Sequence, residues 1–427
     1  MSPTFRSLRI RDYRLFWSGM AVSNVGTWMQ RVAQDWLVLE LTGSGTALGL
    51  TTGLQFLPYL LVGPFAGVLA DRFPKRLLLM ATQVFLGLTA LVLGVLVITD
   101  VVAVWHVFVL AAALGLGTAV DNPARQAYVA ELVGADDLTN AVGLNSASFN
   151  AARVVGPATA GFLIVLVGTG PVFLLNALSF VGPLIALLLI RPGATVARSS
   201  SRGGLGMMRD GLRYVRKRPD ILQVLAVVGV VGTFGLNFQM TTALVATEVF
   251  GKGAAEYGLL GSVMAVGSLT GALLAARRVH VRQRLVVLAA VVFGVLEVLC
   301  GLMPTYPLFM LSLIPVGMSA LTLITAANSS LQGSVAPEVR GRVMALYLAV
   351  FMGGTPLGAP LVGWLGESYG ARWSIIGGGL ASVFGTLLAT ALVTRHRGLV
   401  IRPHLHPRPH LDVEASQRVL AQRAAAG

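Results

Sequence analysis

Charge is what this 427-residue chain most lacks: charged residues make up 12% of it, against 55% hydrophobic. Soluble domains are about a quarter charged, so this is not a soluble composition. Acids are the scarcer sign, 18 Asp and Glu against 32 Lys and Arg, and lysine occurs only at Lys75, Lys217 and Lys252. Cysteine occurs once, at Cys300, which excludes an internal disulfide and leaves the redox compartment unread. There is no Gly-Lys-Ser/Thr phosphate loop to suggest ATP use. No span joins a zinc-type His cluster or a Ser/His pair, so an enzyme is not expected, nor a metal or an organic cofactor.

What fills the chain instead is a succession of apolar runs, and the mean hydropathy is +0.76. A helical span needs about 20 such residues. The runs lie at roughly 14–39, 46–70, 77–99, 103–120, 140–167 and 171–190, then at 221–249, 256–276, 285–303, 306–327, 343–366 and 373–394. They predict an all-α integral membrane protein of twelve helices. One six-helix bundle occupies 1–190, a hydrophilic linker 191–220, a second bundle 221–395 and a tail 396–427, expected to be disordered. In the linker Leu205, Met208, Leu212 and Val215 share one face of a basic segment, as in an amphipathic helix lying on a leaflet. The tail stretch RPHLHPRPH could hold a metal through its histidines, but proline interrupts it and no acid or cysteine completes a site. The basic N-terminus is followed by Asn24, Gln30, Arg31, Gln34 and Asp35, too polar for a cleaved leader.

Orientation follows from the bases. The connections on the same side as the N-terminus hold Arg72, Lys75, Arg76, Arg125, the linker bases and the tail arginines; the opposite connections hold only Lys252 and Arg372. By the positive-inside rule both termini face the cytoplasm, in a bacterial inner membrane. Attraction to anionic headgroups accounts for the net charge of +14 without a nucleic-acid partner, and a monomer is expected. The halves also repeat in the same direction. Gly53, Gly63 and Arg76 recur 208 residues later as Gly261, Gly271 and Arg284, and Asn122 and Gln126 recur as Asn328 and Gln332. Such a parallel repeat is a transporter plan.

The stretch Gly63–Arg76, GPFAGVLADRFPKR, puts an acid and three bases at a membrane edge between two spans. Gly63 and Gly67 would let the second helix approach a neighbour closely, Asp71 could pair with a helix N-terminus of the other half, and Arg72 and Arg76 could bond carbonyls or acids across the seam. The bland reading is a turn and a basic anchor. In the second half Val279 and His280 stand where Asp71 and Arg72 would be, so a gate built here is lopsided. With twelve spans, two halves and a basic linker, the segment GVLADRFPKR resembles the loop signature of the major facilitator superfamily, G-x-L-A-D-R-x-x-x-R, and the likeness runs over residues 5–395. QRVAQDWLVLELTGS, NAARVVGPATAG and GLRYVRKRP resemble the branch that contains the enterobactin exporter and related efflux proteins. The resemblance implies secondary transport by alternating access, with this motif as gate.

Polar residues inside the spans are the candidate site, because charge at membrane depth is costly and usually faces a cavity. Asn24, Trp28, Arg31 and Asp35 form one stripe on the first helix, with Gln34 beside it. Arg31 and Asp35, one turn apart, can pair; Asp35 could carry protons and Arg31 bind an anion, or the two could be a structural ion pair. On the fifth helix Asn150 and Arg153 precede Gly156-Pro157 and Gly161, where proline should bend the helix. This is similar to the antiporter motif of drug exporters, though its Gly-Pro-x-x-x-Gly spacing departs from Gly-Pro-x-x-Gly-Gly. Such exporters often carry an arginine in the fourth helix; the run 103–120 has none, so Arg153 could take that role. Asn237 and Gln239, with Asn328, complete the candidate cavity from the second half, and Glu297 is a second candidate proton carrier unless it merely faces a neighbouring helix. The function expected is proton-driven export of a small amphipathic or siderophore-like molecule. Uptake or facilitated diffusion through the same fold is the alternative, and a membrane sensor a more distant one.

Overall fold

The computed structural model describes residues 3–191, 205–276, 283–396, 399–404 and 410–415. After a short 3-10 segment, Pro3–Arg9, the first half comprises α1 (Arg11–Thr42), α2 (Gly45–Arg72), α3 (Lys75–Ile98), α4 (Val104–Val167), α5 (Thr169–Ser179) and α6 (Val181–Leu189). The amphipathic α7 (Leu205–Arg216) leads into α8 (Pro219–Val230), α9 (Phe238–Leu244), α10 (Ala254–Ala276), α11 (Gln283–Gly301), α12 (Tyr306–Ser334), α13 (Pro337–Gly353), α14 (Thr355–Tyr369) and α15 (Ala371–His396). In the tail, expected to be without regular structure, β1 (Leu399–His404) pairs antiparallel with β2 (His410–Ala415).

Ten helical stretches among the described residues are long and apolar enough to cross a membrane. The twelve crossings are recovered from these ten by two physical facts. First, α1 falls short on hydropathy because its polar stripe dilutes it, yet its 32 residues exceed the length of a span. Second, α4 has 64 residues, about 96 Å if straight and three times the hydrocarbon thickness. It is not straight: Gly134 sits at φ 70°, a left-handed conformation suited to glycine. Phe16 meets Tyr128 at 5.3 Å between ring centroids, and Tyr13 donates to the Ala141 carbonyl at 2.9 Å. Both limbs therefore lie beside the same turns of α1, and the chain reverses at Gly134. The first limb runs well past Val120, so Asp121, Asn122 and Arg125 belong to a helix and not to the connection expected from hydropathy.

The seventh span is likewise composite. Between α8 and α9 the residues Val231–Gly235 form a π-turn, and Val245–Val249 form another after α9. Such turns re-aim side chains and often occur at functional sites. Asn237 and Gln239 follow the first one directly. The outer surface carries leucine, valine and phenylalanine in quantity, among them Leu88, Phe162, Leu178, Leu273 and Phe384, as a lipid-facing belt requires.

The buried side chains divide unevenly. Met29, Val32, Leu37 and Leu48 of the first half share one core with Phe238, Leu244 and Tyr257 of the second. A separate cluster, with Tyr13, Phe16, Ala70, Leu79, Tyr128 and Leu187, belongs to the first half alone. The first-half members of the shared core that lie on α1 and α2 sit where α1 ends and α2 begins; those of the private one sit where α1 begins and α2 ends. The halves are thus joined at the Ser44 end and separate at the Arg72 end.

Candidate functional site

Close backbone approach seals the joined end. A Cβ on Gly45 would meet the Gly363 carbonyl at 2.8 Å, and one on Gly53 the Pro356 carbonyl at 3.1 Å, so α2 and α14 touch through their backbones. Gly63 and Gly67, further along the same helix, face open space with nothing within 4 Å of such a Cβ. The close approach expected of them is made instead by Gly45 and Gly53, because the helices diverge toward the Arg72 end. On the other side of the seam a Cβ on Gly161 would meet the Ala254 carbonyl at 2.5 Å, while within the first half one on Gly156 would meet the Cβ of Trp28 at 2.6 Å. At Pro157 the helix does not break, and the only non-helical residue within α4 is Gly134. The Ser262 hydroxyl of α10 enters the backbone ladder there, accepting from Ala158 N at 3.0 Å and donating to the Val154 carbonyl at 2.5 Å.

Polar clasps reinforce the seal. Asp35 Oδ2 accepts from Gln239 Nε2 at 2.6 Å and from the Tyr257 hydroxyl at 2.8 Å, joining α1 to α9 and α10. The pair expected between Asp35 and Arg31 is not among the salt bridges of the described residues. Asp35 has taken donors from the opposite half, while the Arg31 guanidinium lies over the Trp28 ring, 5.0 Å from its centroid, and 5.8 Å from that of Phe56. At the rim Glu367 accepts from Ser44 Oγ at 2.7 Å and from the Thr46 amide at 2.8 Å, on the first turn of α2 where an acid is favoured.

Nothing comparable joins the Arg72 end among the hydrogen bonds described. Arg76, expected to reach across the seam, donates to the Leu187 carbonyl at 2.6 Å, completing the C-terminus of α6 in its own half. Lys75 pairs with Glu131 at 2.6 Å, also within the first half. Arg72 is exposed; the side chain of Asp71, and the counterpart positions Val279 and His280, lie outside the described residues.

Above the seal the halves enclose a central cavity of about 470 Å³. Asn24, Trp28, Arg31, Arg153, Asn237 and Gln239 line it, as do Asp121, Asn122 and Arg125. The remaining residues expected there lie elsewhere. Gln34 is buried with Oε1 unpartnered, Asn150 is half-buried and donates to the Ser146 carbonyl, and Asn328 accepts from Gln332 one turn on. The hydropathy boundary at Val120 hid the arginine of the fourth helix. Arg125 holds Asp121 through two nitrogens and donates to Asn24 Oδ1 at 3.2 Å. Asp121 is fully buried and also accepts from Thr82 at 2.8 Å and Gln83 at 2.7 Å, so its charge is compensated. Arg31 and Arg153 flank Trp28 with no acid in salt-bridge contact among the described residues, and Arg31 Nε is buried without a partner.

Glu297 lies away from the cavity. It is 3% exposed, between α11, α15 and the π-turn after α8, with Oε2 unpartnered; Ser382 Oγ, buried against the same glycine, Gly235, is unpartnered too.

Solved structures share this architecture. A bacterial homologue of the human lysosomal transporter Spinster, inward-facing and unoccupied, superimposes with a TM-score of 0.69 over 92% of this chain and 97% of its own, at 15% identity. The nucleoside transporter NupG gives 0.71 over 90% and 99%, at 13% identity. Among sequences, the macrolide efflux protein A of Streptococcus pyogenes is 23% identical over 88% of this chain and 94% of its own length. The multidrug efflux pump Tap of Mycolicibacterium fortuitum is 27% identical over 82% and 87%. The staphyloferrin A transporter of Staphylococcus aureus is 23% identical over 85% and 92%. The profile of the transmembrane secretion effectors matches residues 2–419, nearly the whole chain. The chain therefore belongs to the transmembrane secretion effector family of the major facilitator superfamily.

Proposed function

We propose that the chain is a secondary exporter that moves a small amphipathic or siderophore-like molecule from the cytoplasm by alternating access, driven by proton entry. The observation that carries this reading is the Asp35 clasp: a carboxylate at the sealed end, held by donors from the opposite half and one helical turn from the cavity. Protonation removes its charge and weakens both bonds, favouring opening of that end. With both termini cytoplasmic the sealed end faces outward, where protons are abundant under a normal gradient. Glu297 is the second carboxyl assigned to proton handling. Arg72, Arg76 and Asp71 close the opposite end when the clasp opens. The relatives named for macrolide and multidrug efflux favour export over uptake. The reading makes the protein a monomeric carrier of the bacterial inner membrane, neither an enzyme nor a nucleic-acid binder.

The test is efflux of a compound panel from cells and inverted vesicles, with and without the proton gradient. Gradient-dependent extrusion is the expected result. Extrusion unaffected by collapsing the gradient removes the proton coupling, and equal net uptake removes the direction.

A further inference from the structure

The cavity's charge says what kind of molecule it takes. Four ionised side chains line it: Arg31, Arg125 and Arg153 against Asp121. Asp121 and Arg125 satisfy each other, leaving two guanidinium groups in excess. The nearest carboxylate on the same helix, Asp35, is turned to Gln239 and Tyr257. Both free arginines bracket one aromatic ring, at 5.0 and 5.8 Å from the Trp28 centroid, and so converge on the same region of the cavity. Cation–π contact holds the two planes but satisfies few of their donors, and Arg31 Nε is left buried and unbonded. Two uncompensated cations at membrane depth are costly unless a ligand supplies the counter-charge. Arginine presents a planar fork that matches a carboxylate or similar oxyanion through paired hydrogen bonds. Phe56, Phe149, Phe180 and Met264 provide apolar walls beside this basic end.

We infer that the exported molecule is an amphipathic organic anion, whose oxyanion group is held between Arg31 and Arg153 against Trp28 while its apolar body rests on the phenylalanine wall. This rests on the exporter reading and specifies its substrate class: the site prefers an acid over a cation of the same shape.

Fluorescein and rhodamine 123 share a xanthene body and carry opposite charge, so they are the probes. Binding is read by fluorescence anisotropy on full-length protein in lipid nanodiscs, each variant first checked for an unchanged melting profile. Fluorescein is expected to bind the parent protein at least about tenfold more tightly than rhodamine 123. Arg31→Gln and Arg153→Gln are each expected to weaken it by about 10- to 100-fold, the range for hydrogen bonds to charged groups. Arg31→Lys and Arg153→Lys, which keep charge and lose the fork, should fall between and supply folded controls if a glutamine variant melts early. Fluorescein binding no tighter than rhodamine 123, or unchanged across the four variants, overturns the proposal. Vesicle transport separates this from the exporter reading. Arginine-dependent binding without movement leaves the anion site standing and removes export of this probe class; movement indifferent to both arginines does the reverse.

Discussion

Removing the charge of Asp35 is the most direct perturbation of the proposed cycle. Both clasp bonds end on the same oxygen, Oδ2, so Asp35→Asn can keep both with its amide oxygen and lose only their charge assistance. Hydrogen bonds to charged groups contribute ~1.5–3 kcal/mol and neutral ones ~0.5–1.5 kcal/mol. Two bonds weakened together reduce the clasp by about 2 kcal/mol, or about 30-fold in the balance between sealed and open forms. The other seam contacts, at Gly45, Gly53, Gly161 and Ser262, are untouched, so the protein stays folded. Thr52 lines the cavity, and Cys300 is the chain's single cysteine. In a Cys300→Ser, Thr52→Cys background, an impermeant maleimide applied outside the cell therefore reports opening of the sealed end. Asp35→Asn is expected to label about 30-fold faster, and Tyr257→Phe, which deletes one donor, faster by a smaller factor. Labelling that is unchanged in both variants refutes the idea that this carboxylate latches the halves.

Three further outcomes are expected. Glu367→Gln weakens an exposed rim contact and should raise outside labelling only about threefold, as solvent-screened pairs do; an effect matching that of Asp35→Asn would move the latch to the rim. Glu297→Gln should retain downhill efflux while abolishing gradient-driven extrusion, read in vesicles at matched and opposed pH; unimpaired pumping leaves Glu297 without a coupling role. Asp121→Ala strands the Arg125 guanidinium and the Thr82 and Gln83 donors, at a cost of about 2–4 kcal/mol. A melting temperature in detergent equal to that of the parent protein contradicts the compensated cluster.

Hydropathy was enough to read the number of crossings and the two halves, because a bilayer forces every span to be apolar and self-bonded. The polar stripe of α1 was legible for the complementary reason, since charge there needs a cavity. The turn between the fourth and fifth crossings was not. Asp121, Asn122, Pro123 and Arg125 read as a loop, whereas they lie on a helix whose polar face is paid for by a buried ion pair. Cross-half partners were also invisible. Tyr257 looks like an ordinary aromatic within an apolar run, Ser262 like a small helix residue, and Glu367 like the polar edge of a span. Their roles arise only when the opposite half is docked. Glycine spacing had the same ambiguity: Gly45, Gly49 and Gly53 are spaced as Gly63 and Gly67 are, and the conformation decides which set is in contact.

The missing Arg31–Asp35 pair yields the last prediction. The two residues are one turn apart on α1, so their spacing favours contact, yet in the sealed state Asp35 bonds to the other half and Arg31 faces the cavity. When the sealed end opens, Asp35 loses Gln239 and Tyr257 together. Once the opened carboxyl gives up its proton, the ionised group must find another partner, and Arg31 is the nearest cation on its own helix. The pair then competes with a bound anion for the same guanidinium, so opening outward lowers affinity where release is needed. Asp35→Asn removes the competitor without touching the anion's donors. It is expected to bind fluorescein in nanodiscs about as tightly as the parent, while extrusion of the dye from cells slows by about tenfold or more, the charge-assisted part of the exchange being lost. If Asp35→Asn instead weakens equilibrium binding as much as Arg31→Gln does, the carboxylate supports the anion site and does not empty it.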